Sequence, residues 1–419
     1  MPREPRQRPV RPAGALSGLR VIDLGEMVSA PFAARLLGDA GAEVIKVEPL
    51  GGDPSRENGP FPKGVIDEET SALYLYLNAG KLSVTIDIRD ARGKTLLHEL
   101  ISQADVLMMN WPPKMLDRFG LRYSRLKSKH PRLIVTAITP FGLSGRYRDY
   151  KGDDLIAVSA GGLAFATPGI PDVITDPSAE PPLRAESPVS DYLAGISGAM
   201  ATMAAVLSRR LTGRGSEVDV SQQESVAMNM AWDIAHASYL TPKGRQPEIA
   251  GSQPNHIFPC KDGHVVIVAF LQNHWESLLE IMGDPEWAKS PVFANGFERA
   301  RNWDALEPFI TEWTLRHTAR EIGELALGEG IPCFPACEIS QVVNSEQAKA
   351  RGYFQSHRLG DEATVQLPGH PVRMSKTPWL LGGSAPKLGE HTAQILGGRL
   401  GHTAKQMRAL KAAGVISNG

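Results

Sequence analysis

The chain has 419 residues, with 45 lysines and arginines against 46 aspartates and glutamates, so its formal net charge is −1. Proteins that bind nucleic acid or an anionic membrane surface by bulk charge need a basic surplus, and this balance argues against both partners. The hydrophobic fraction of 42% is ordinary for a globular protein, and the length allows about two or three domains.

The first residues, 1–17, are rich in arginine and proline. They contain no apolar segment of a secretory signal, and the prolines prevent the amphipathic helix of a transit peptide. We therefore predict a disordered arm over 1–17.

Strands and helices alternate in the following part of the chain. Helical spacing occurs at 31–40 and at 90–104, where Asp90 is the predicted cap. This alternation predicts a parallel sheet with helices on both faces and with ligands at the carboxyl ends of the strands. The apolar runs that predict these strands are 19–25, 43–48, 83–88, 105–110 and 133–139.

The pattern changes after Gly213. It predicts a short strand at 217–220, one long helix at 221–239, a strand at 264–269 and helical segments to about residue 328. We expect an α/β fold with a large domain and a smaller α+β domain. The predicted divisions are a large domain at 18–240, a linker at 241–254, a small domain at 255–345, a linker at 346–370 and a return to the large domain at 371–419.

The longest apolar run, 192–207, is too short to cross a bilayer comfortably and is flanked by Asp191 and Arg209. It predicts a buried helix, and we expect no membrane partner.

Three cysteines, Cys260, Cys333 and Cys337, lie in the second half of the chain. An odd, sparse set does not form a disulfide framework, and no second pair stands at zinc spacing. We therefore expect reduced and mostly buried thiols, no metal site and a cytoplasmic location.

A nucleotide cofactor is disfavoured by the turn after the first strand. This turn, at 25–31, has one glycine where the dinucleotide fingerprint needs three. Glu48 ends the second strand where a ribose-binding acid would lie, but acids at strand ends are common. The sequence therefore argues against NAD and FAD.

Several separated motifs follow one another in a recognisable order. They are LSGLRVIDLGEMVSAPFAARLLGDAGAEVIKVEPLGGDPSR at 16–56, NAGKLSVTIDI at 78–88, ADVLMMNWPPKMLDRFG at 104–120, SDYLAGISGAM at 190–200 and PKLGEHT at 386–392. Together they resemble the class III CoA-transferase family, which includes formyl-CoA transferase, the carnitine CoA-transferases and α-methylacyl-CoA racemase. The resemblance implies a Rossmann-like large domain with a parallel sheet, a small domain and two long connectors. It also implies an interlocked homodimer, no permanently bound cofactor, and a coenzyme A thioester as substrate.

The resemblance places the catalytic carboxylate at Asp191 and a second active-site acid at Asp154. Asp191 begins a long apolar helix, where the helix dipole and free N–H groups favour an anion. Ordinary helix capping is the alternative for Asp191, and capping of a helix that starts at Leu155 is the alternative for Asp154.

The implied reaction is covalent CoA transfer. Asp191 would attack the donor thioester to give a mixed anhydride, and the CoA thiolate would then convert this anhydride to an aspartyl-CoA thioester. An acceptor carboxylate would attack that thioester, and CoA would return to the new acyl group. Succinyl-CoA is the expected donor by analogy.

The resemblance assigns further positions to CoA binding. Formyl-CoA transferase has a glutamine where this chain has Val28, so we expect backbone N–H groups at Val28 and Ser29 to stabilise an oxyanion. A solvated surface charge is the alternative for the two basic positions, and core packing is the alternative for the tryptophan. The assigned positions are Arg118 and Lys151 for the phosphates, Asn110, Trp111, Pro112 and Phe119 around the nucleotide, and Ile86, Asp87 and Arg89 near the adenosine.

Two other functions stay open. The racemase branch moves an α-proton with a histidine that aligns with Asp153, and no other histidine lies between His130 and His236. The sequence therefore favours a transferase over a racemase or epimerase. A protein that binds acyl-CoA without turnover is the third candidate, against which Asp191 argues.

Overall fold

The computed structural model describes residues 14–167, 182–239, 253–359, 363–380 and 383–417. The predicted arm at 1–17 and linker at 241–254 lie almost entirely outside these ranges. The chain forms two compact units. Unit 1 contains Met1–Ala164, Arg184–Ala231 and Arg351–Gly419, and unit 2 contains Phe165–Leu183 and Trp232–Ala350.

A six-stranded parallel sheet forms the centre of unit 1. Its strands are β1 (Arg20–Asp23), β2 (Glu43–Glu48), β3 (Leu82–Thr85), β4 (Val106–Met109), β5 (Ile134–Thr139) and β6 (Glu217–Ser221), in the spatial order β3-β2-β1-β4-β5-β6. The order reverses between β1 and β4, and ligands of such sheets bind at the carboxyl ends of the strands beside this reversal. The predicted α/β fold with a parallel sheet is therefore confirmed.

Helices cover both faces of the sheet, as continuous apolar strands require. The helices of unit 1 are α1 (Ser29–Asp39), α2 (Ala72–Asn78), α3 (Ala91–Ser102), α4 (Pro113–Phe119), α5 (Tyr123–Leu126), α6 (Asp154–Ala160), α8 (Val189–Thr212) and α9 (Gln222–Ala227), while α7 (Leu163–Ala166) and α10 (Ala231–Tyr239) continue into the residues of unit 2. On one face of the sheet α1 and α8 pack over β1, β4 and β5, and on the other face α3 and the C-terminal segment enclose a second core.

Helix α8 packs closely on its neighbours because it carries glycines on its inner face. A Cβ added to Gly195 would lie 2.9 Å from the Ser29 carbonyl oxygen, and one added to Gly198 would lie 2.7 Å from Cδ1 of Ile138. By length and composition alone, α8 is the one helix among the described residues that would suffice to cross a membrane. Its contacts with α1, β5 and β6 bury one face in the core, but the opposite face is exposed, so the predicted buried helix is only partly buried.

Unit 2 has its own antiparallel sheet and its own core. The strands β7 (Asn255–Cys260), β8 (Gly263–Val268) and β9 (Cys333–Pro335) pair in the order β7-β8-β9. Three buried tryptophan and phenylalanine side chains, Trp275, Phe293 and Trp303, contribute to this core. The helices are α11 (Gln272–Ile281), α12 (Gly296–Arg301), α13 (Trp303–Thr314), α14 (Ala319–Gly328), α15 (Ile339–Asn344) and α16 (Glu346–Ala350).

The C-terminal part of unit 1 follows. It contains an antiparallel hairpin of β10 (Phe354–Leu359) and β11 (Ala363–Pro368), a π-helical turn at Ala393–Arg399 and helix α17 (Ala404–Ala412). Val415 accepts a hydrogen bond from the Asp87 N–H at 2.8 Å, so the last described residues lie against the end of β3.

Two expectations from the sequence are corrected. Residues 221–239 are not one helix, since a 3₁₀ turn at Met228–Met230 separates α9 from α10. Residues 346–370 are not an irregular linker, because α16 and the β10–β11 hairpin occupy them. Helix α2 and strand β7 were not predicted.

The cysteines are free, as expected. Cys260 and Cys333 are buried, whereas Cys337 is exposed. Among the described residues, no group of histidine, cysteine and acidic side chains is arranged to hold a metal ion.

Candidate active site

The turn between β1 and α1 lies beside the reversal of strand order, and side chains from three elements fix it. Met27 has a positive φ of 56°, which is uncommon for a residue with a side chain. Asn110, directly after β4, accepts a hydrogen bond from the Glu26 N–H at 2.9 Å and donates to the Glu26 carbonyl at 2.7 Å. Asp53 accepts from the Met27 N–H at 3.1 Å. These hydrogen bonds therefore hold the turn in one backbone conformation.

Two buried lysines support the same turn from the sheet. The Lys46 ammonium lies 2.6 Å from the Asp53 carboxylate and donates to the Gly25 carbonyl at 2.9 Å. The Lys81 ammonium lies 2.7 Å from Asp23 and donates to the Pro31 carbonyl at 2.8 Å. Both cations thus join the sheet to the backbone at the two ends of the turn.

The two lysines have opposite pKa directions. Burial lowers the pKa of Lys81 to about 8, although Asp23 opposes the change. Burial acts on Lys46 too, but Asp53 and Asp23 outweigh it and raise the pKa of that ammonium above its ordinary value. Lys46 is therefore the permanent cation beneath the turn.

Asp191 lies in the first turn of α8, as predicted, and faces the β1–α1 turn. The Gln222 side-chain amide donates to Asp191 Oδ1 at 2.7 Å. Burial raises the pKa of Asp191 to about 6, and the nearby Asp154 carboxylate adds to the rise. Hydrogen bonds from Ser29 and from the Gln222 amide act in the opposite direction. The helix dipole does not keep this pKa low, but the group is mostly ionised at neutral pH.

A short chain of hydrogen bonds orients the serine next to Asp191. The Asn110 amide donates to the Ser29 hydroxyl oxygen at 3.1 Å. The hydroxyl hydrogen of Ser29 is thereby directed to Asp191, to which the Ser29 backbone also donates. Asn110 thus fixes both the turn and the serine that binds the carboxylate.

Asp154 does not cap the helix that it begins. The cap of α6 is Asp153, which accepts from the Ile156 N–H at 3.1 Å. Asp154 instead accepts from both the N–H and the hydroxyl of Ser190, each at 2.8 Å. It therefore stabilises the beginning of α8, one residue before Asp191.

The candidate CoA positions divide into buried and exposed groups. Ile86 and Phe119 belong to the core, so little of either side chain is free for a ligand. Trp111 is half-buried, with its ring 5.9 Å from that of Phe119. Arg118 and Lys151 are exposed, as surface phosphate contacts must be.

The remaining candidates lie at the turn and at the end of β3. Val28 is buried in a small apolar cluster, so its backbone rather than its side chain is available. Arg89 is exposed and forms an ion pair with Asp87 at 2.8 Å. Pro112 is exposed and precedes α4.

Sequence reasoning missed Gln222, the buried partner of Asp191. It is the first residue after β6, and functional side chains collect at the carboxyl ends of parallel strands. That rule could have identified it. Glu48, the weak candidate for a ribose-binding acid, is buried and paired with Arg56 at 2.8 Å, so it is unavailable to a ribose.

Comparison with known proteins identifies the family and agrees with the fold. Residues 16–392 match the model of CoA-transferase family III, so the chain belongs to this family. It is 32% identical over 406 residues to the succinyl-CoA–L-malate CoA-transferase alpha subunit of Chloroflexus aurantiacus, covering 96% of this chain and 92% of the relative. It is also 32% identical over 419 residues to the succinyl-CoA–D-citramalate CoA-transferase of the same organism, covering 98% and 99%.

A solved structure has the same fold. A CAIB/BAIF family protein from Brucella suis superposes with a TM-score of 0.80 at 28% identity, covering 93% of this chain and 100% of the other. The prediction of a class III CoA-transferase is confirmed by these comparisons.

Proposed function

We propose that this protein transfers CoA from an acyl-CoA donor to a carboxylic acid through covalent intermediates on Asp191. The observation that carries the proposal is a buried carboxylate at a helix N-terminus, held by the Gln222 amide at 2.7 Å and by Ser29. Burial removes water that would hydrolyse a reactive acyl group, and hydrogen bonds fix the orientation of the carboxylate.

The reaction has four covalent steps. The Asp191 carboxylate adds to the donor carbonyl and releases CoA thiolate, leaving a mixed anhydride. The thiolate attacks the aspartyl carbonyl and releases the donor acid. The acceptor carboxylate then attacks the aspartyl-CoA thioester and displaces the thiolate. The thiolate finally attacks the acceptor acyl carbonyl and releases the Asp191 carboxylate. The N–H group of Val28 supplies a donor for the oxyanion on the substrate carbonyl, whereas that of Ser29 already donates to Asp191.

CoA binding is proposed for the surface beside the carboxyl ends of β3, β4 and β5. Arg118 and Lys151 supply positive charge for the phosphates, and Trp111 supplies an aromatic face. Succinyl-CoA is the proposed donor because both curated relatives described above carry it in their names. The acceptor is proposed to be a small carboxylic acid.

The active protein is proposed to be an interlocked homodimer in the cytoplasm. Helix α8 carries Ile196, Met200, Leu207 and Leu211 at helical spacing on one face, and each is at least half exposed. An exposed apolar stripe of this kind fits an interface with a second copy. Sedimentation equilibrium is expected to give the mass of two chains, and the mass of one chain would contradict the dimer. The free thiols fit a reducing compartment.

The test is CoA exchange between succinyl-CoA and a panel of carboxylic acids, read by the mass of the product thioester. We expect Asp191→Asn to abolish exchange and Asp149→Asn, an ordinary surface carboxylate, to leave it unchanged. Full activity in Asp191→Asn would disprove the covalent role. Exchange of the substrate α-proton in deuterated water without CoA movement would indicate the racemase instead.

A further inference from the structure

Gln222 lies where a second oxyanion must form in the proposed reaction. Its side chain is buried at 5% exposure, and its amide nitrogen is 2.7 Å from Asp191 Oδ1. Because an ionised carboxylate can only accept, the amide must present its N–H group to this oxygen. The contact is therefore a directed donor already in place on the reacting group.

The backbone around Gln222 is held firmly. Ser221 ends β6 opposite Thr139 and caps α9 by accepting from the Glu224 N–H at 3.2 Å. The Ser225 hydroxyl donates to the Ser221 carbonyl at 2.8 Å. Gln222 therefore enters the site from a strand end, and its amide does not need to be ordered by substrate.

Two of the four proposed steps attack the aspartyl carbonyl rather than the substrate carbonyl. When CoA thiolate attacks the mixed anhydride, a C–S bond forms at Asp191 Cγ and the electron pair moves onto Oδ1. The pair returns as the bond from Cγ to the bridging oxygen breaks, and the donor acid leaves as its carboxylate, with no proton exchanged. When the acceptor carboxylate attacks the aspartyl thioester, the charge again develops on Oδ1, and CoA thiolate leaves.

We propose that Gln222 is a catalytic residue that stabilises the oxyanion on Asp191 Oδ1 in these two steps. This inference rests on the proposed covalent function. It assigns separate hydrogen-bond donors to the two oxyanions of the reaction. The Val28 N–H serves the oxyanion of the substrate carbonyl, and Gln222 serves the oxyanion that forms on Asp191 Oδ1. Loss of one such donor typically slows catalysis by about 10²- to 10³-fold.

The experiment uses Gln222→Met, which keeps the shape of the side chain and removes its donor. Its matched control is Gln223→Met, because Gln223 lies on the same helix and donates to the Ala160 carbonyl, not to Asp191. Each full-length protein is mixed with succinyl-CoA without acceptor, quenched rapidly, and its covalent adducts are identified by intact mass and peptide mapping.

We expect Gln222→Met to form the CoA adduct of Asp191 about 10²- to 10³-fold more slowly. First-turnover loss of succinyl-CoA changes less than about threefold, and the succinyl-CoA that is lost accumulates as the mixed anhydride and free CoA. The KM for succinyl-CoA is expected to stay within about threefold, since the interaction strengthens only in the transition state. Gln223→Met behaves as wild type. Gln222→Asn, which withdraws the amide by one methylene group, is expected to fall between the two.

The outcomes separate the inference from the function on which it rests. Unchanged formation of the CoA adduct in Gln222→Met and Gln222→Asn overturns the role of Gln222 and leaves the covalent mechanism standing. An equal loss of succinyl-CoA consumption and adduct formation assigns Gln222 to positioning of the nucleophile, which also overturns the proposal. Absence of any Asp191 adduct in the wild-type protein overturns the covalent mechanism itself.

Discussion

The carboxylate of Asp154 accepts two hydrogen bonds of 2.8 Å from Ser190, whose next neighbour in the chain is Asp191. One acid therefore stabilises the helix that presents the other, and its negative charge disfavours ionisation of Asp191. The two carboxylates have different roles because only Asp154 accepts hydrogen bonds from the N-terminus of α8.

Transfer activity is expected to depend on pH through Asp191. Its pKa is raised to about 6, so below that pH the group is protonated and is no nucleophile. We expect kcat/KM to rise with pH up to about 6 and to level off above it. The measurement is a pH profile with an acceptor acid that is fully ionised throughout the range. A flat profile between pH 5 and 7 would contradict the assignment.

Asp154→Asn is expected to move this acidic limb to lower pH, because it removes a negative charge that raises the Asp191 pKa. Asp153→Asn is the control, since asparagine also caps helices and Asp153 accepts from the Ile156 N–H of its own helix. Titration of the CoA phosphates is common to all three proteins, so a difference between their profiles belongs to the enzyme. A shift to higher pH in Asp154→Asn would refute the electrostatic argument.

Two glycines of α8 are expected to differ in their tolerance of alanine. A Cβ added to Gly195 would lie too close to the backbone carbonyl of Ser29 in the active-site turn. A Cβ added to Gly198 would lie too close to the flexible end of the Ile138 side chain. We expect Gly195→Ala to lower the free energy of unfolding by about 1–3 kcal/mol and kcat by at least about tenfold. Urea denaturation and steady-state kinetics measure both effects.

Gly198→Ala is the matched substitution on the same helix. Alanine is more favourable than glycine in a helix by about 1 kcal/mol, and this gain offsets the energetic cost of displacing Ile138. We expect little change in stability or kcat. Equal effects of the two substitutions would show that the contact with Ser29 has no special consequence.

Arg118 and Lys151 are expected to act on CoA binding and not on the chemical steps. Arg118→Ala and Lys151→Ala should each raise the KM for succinyl-CoA about tenfold with kcat nearly unchanged, because a phosphate contact is equally strong before and during reaction. Lys114→Ala, an exposed basic residue on the same helix as Arg118, is the control. A fall in kcat at constant KM would place these residues in the chemistry instead.

Local patterns were enough to predict the parallel sheet and the place of Asp191. The strands at 43–48 and 133–139 are apolar runs with clear ends, and the position of Asp191 before an apolar helix marks its first turn. The β10–β11 hairpin was missed because its apolar residues, among them Leu359 and Leu367, alternate within a polar segment. Their packing partner, Leu75 of α2, is distant in the chain.

The site was harder to predict where the role of a residue depends on long-range contacts or on burial. Asp153 and Asp154 are the same type of residue, and either could cap the helix. Only the contact between Ser190 and Asp154 distinguishes their roles. The contact between Gln222 and Asp191 depends on the pairing of β5 with β6. A local sequence pattern does not show which strands pair. The sequence suggests a helix dipole at Asp191 but not the desolvation that outweighs it.

The charged pairs beneath the β1–α1 turn have a consequence for the engineering of this enzyme. Lys46 and Lys81 hold the carbonyls at the two ends of the turn, so its peptide dipoles are aligned during folding and do not have to reorient in each turnover. A library that seeks new acceptor acids will keep its reaction rate only if these two lysines and their aspartates are left unchanged. Variation is better placed on side chains that do not support the backbone of the turn.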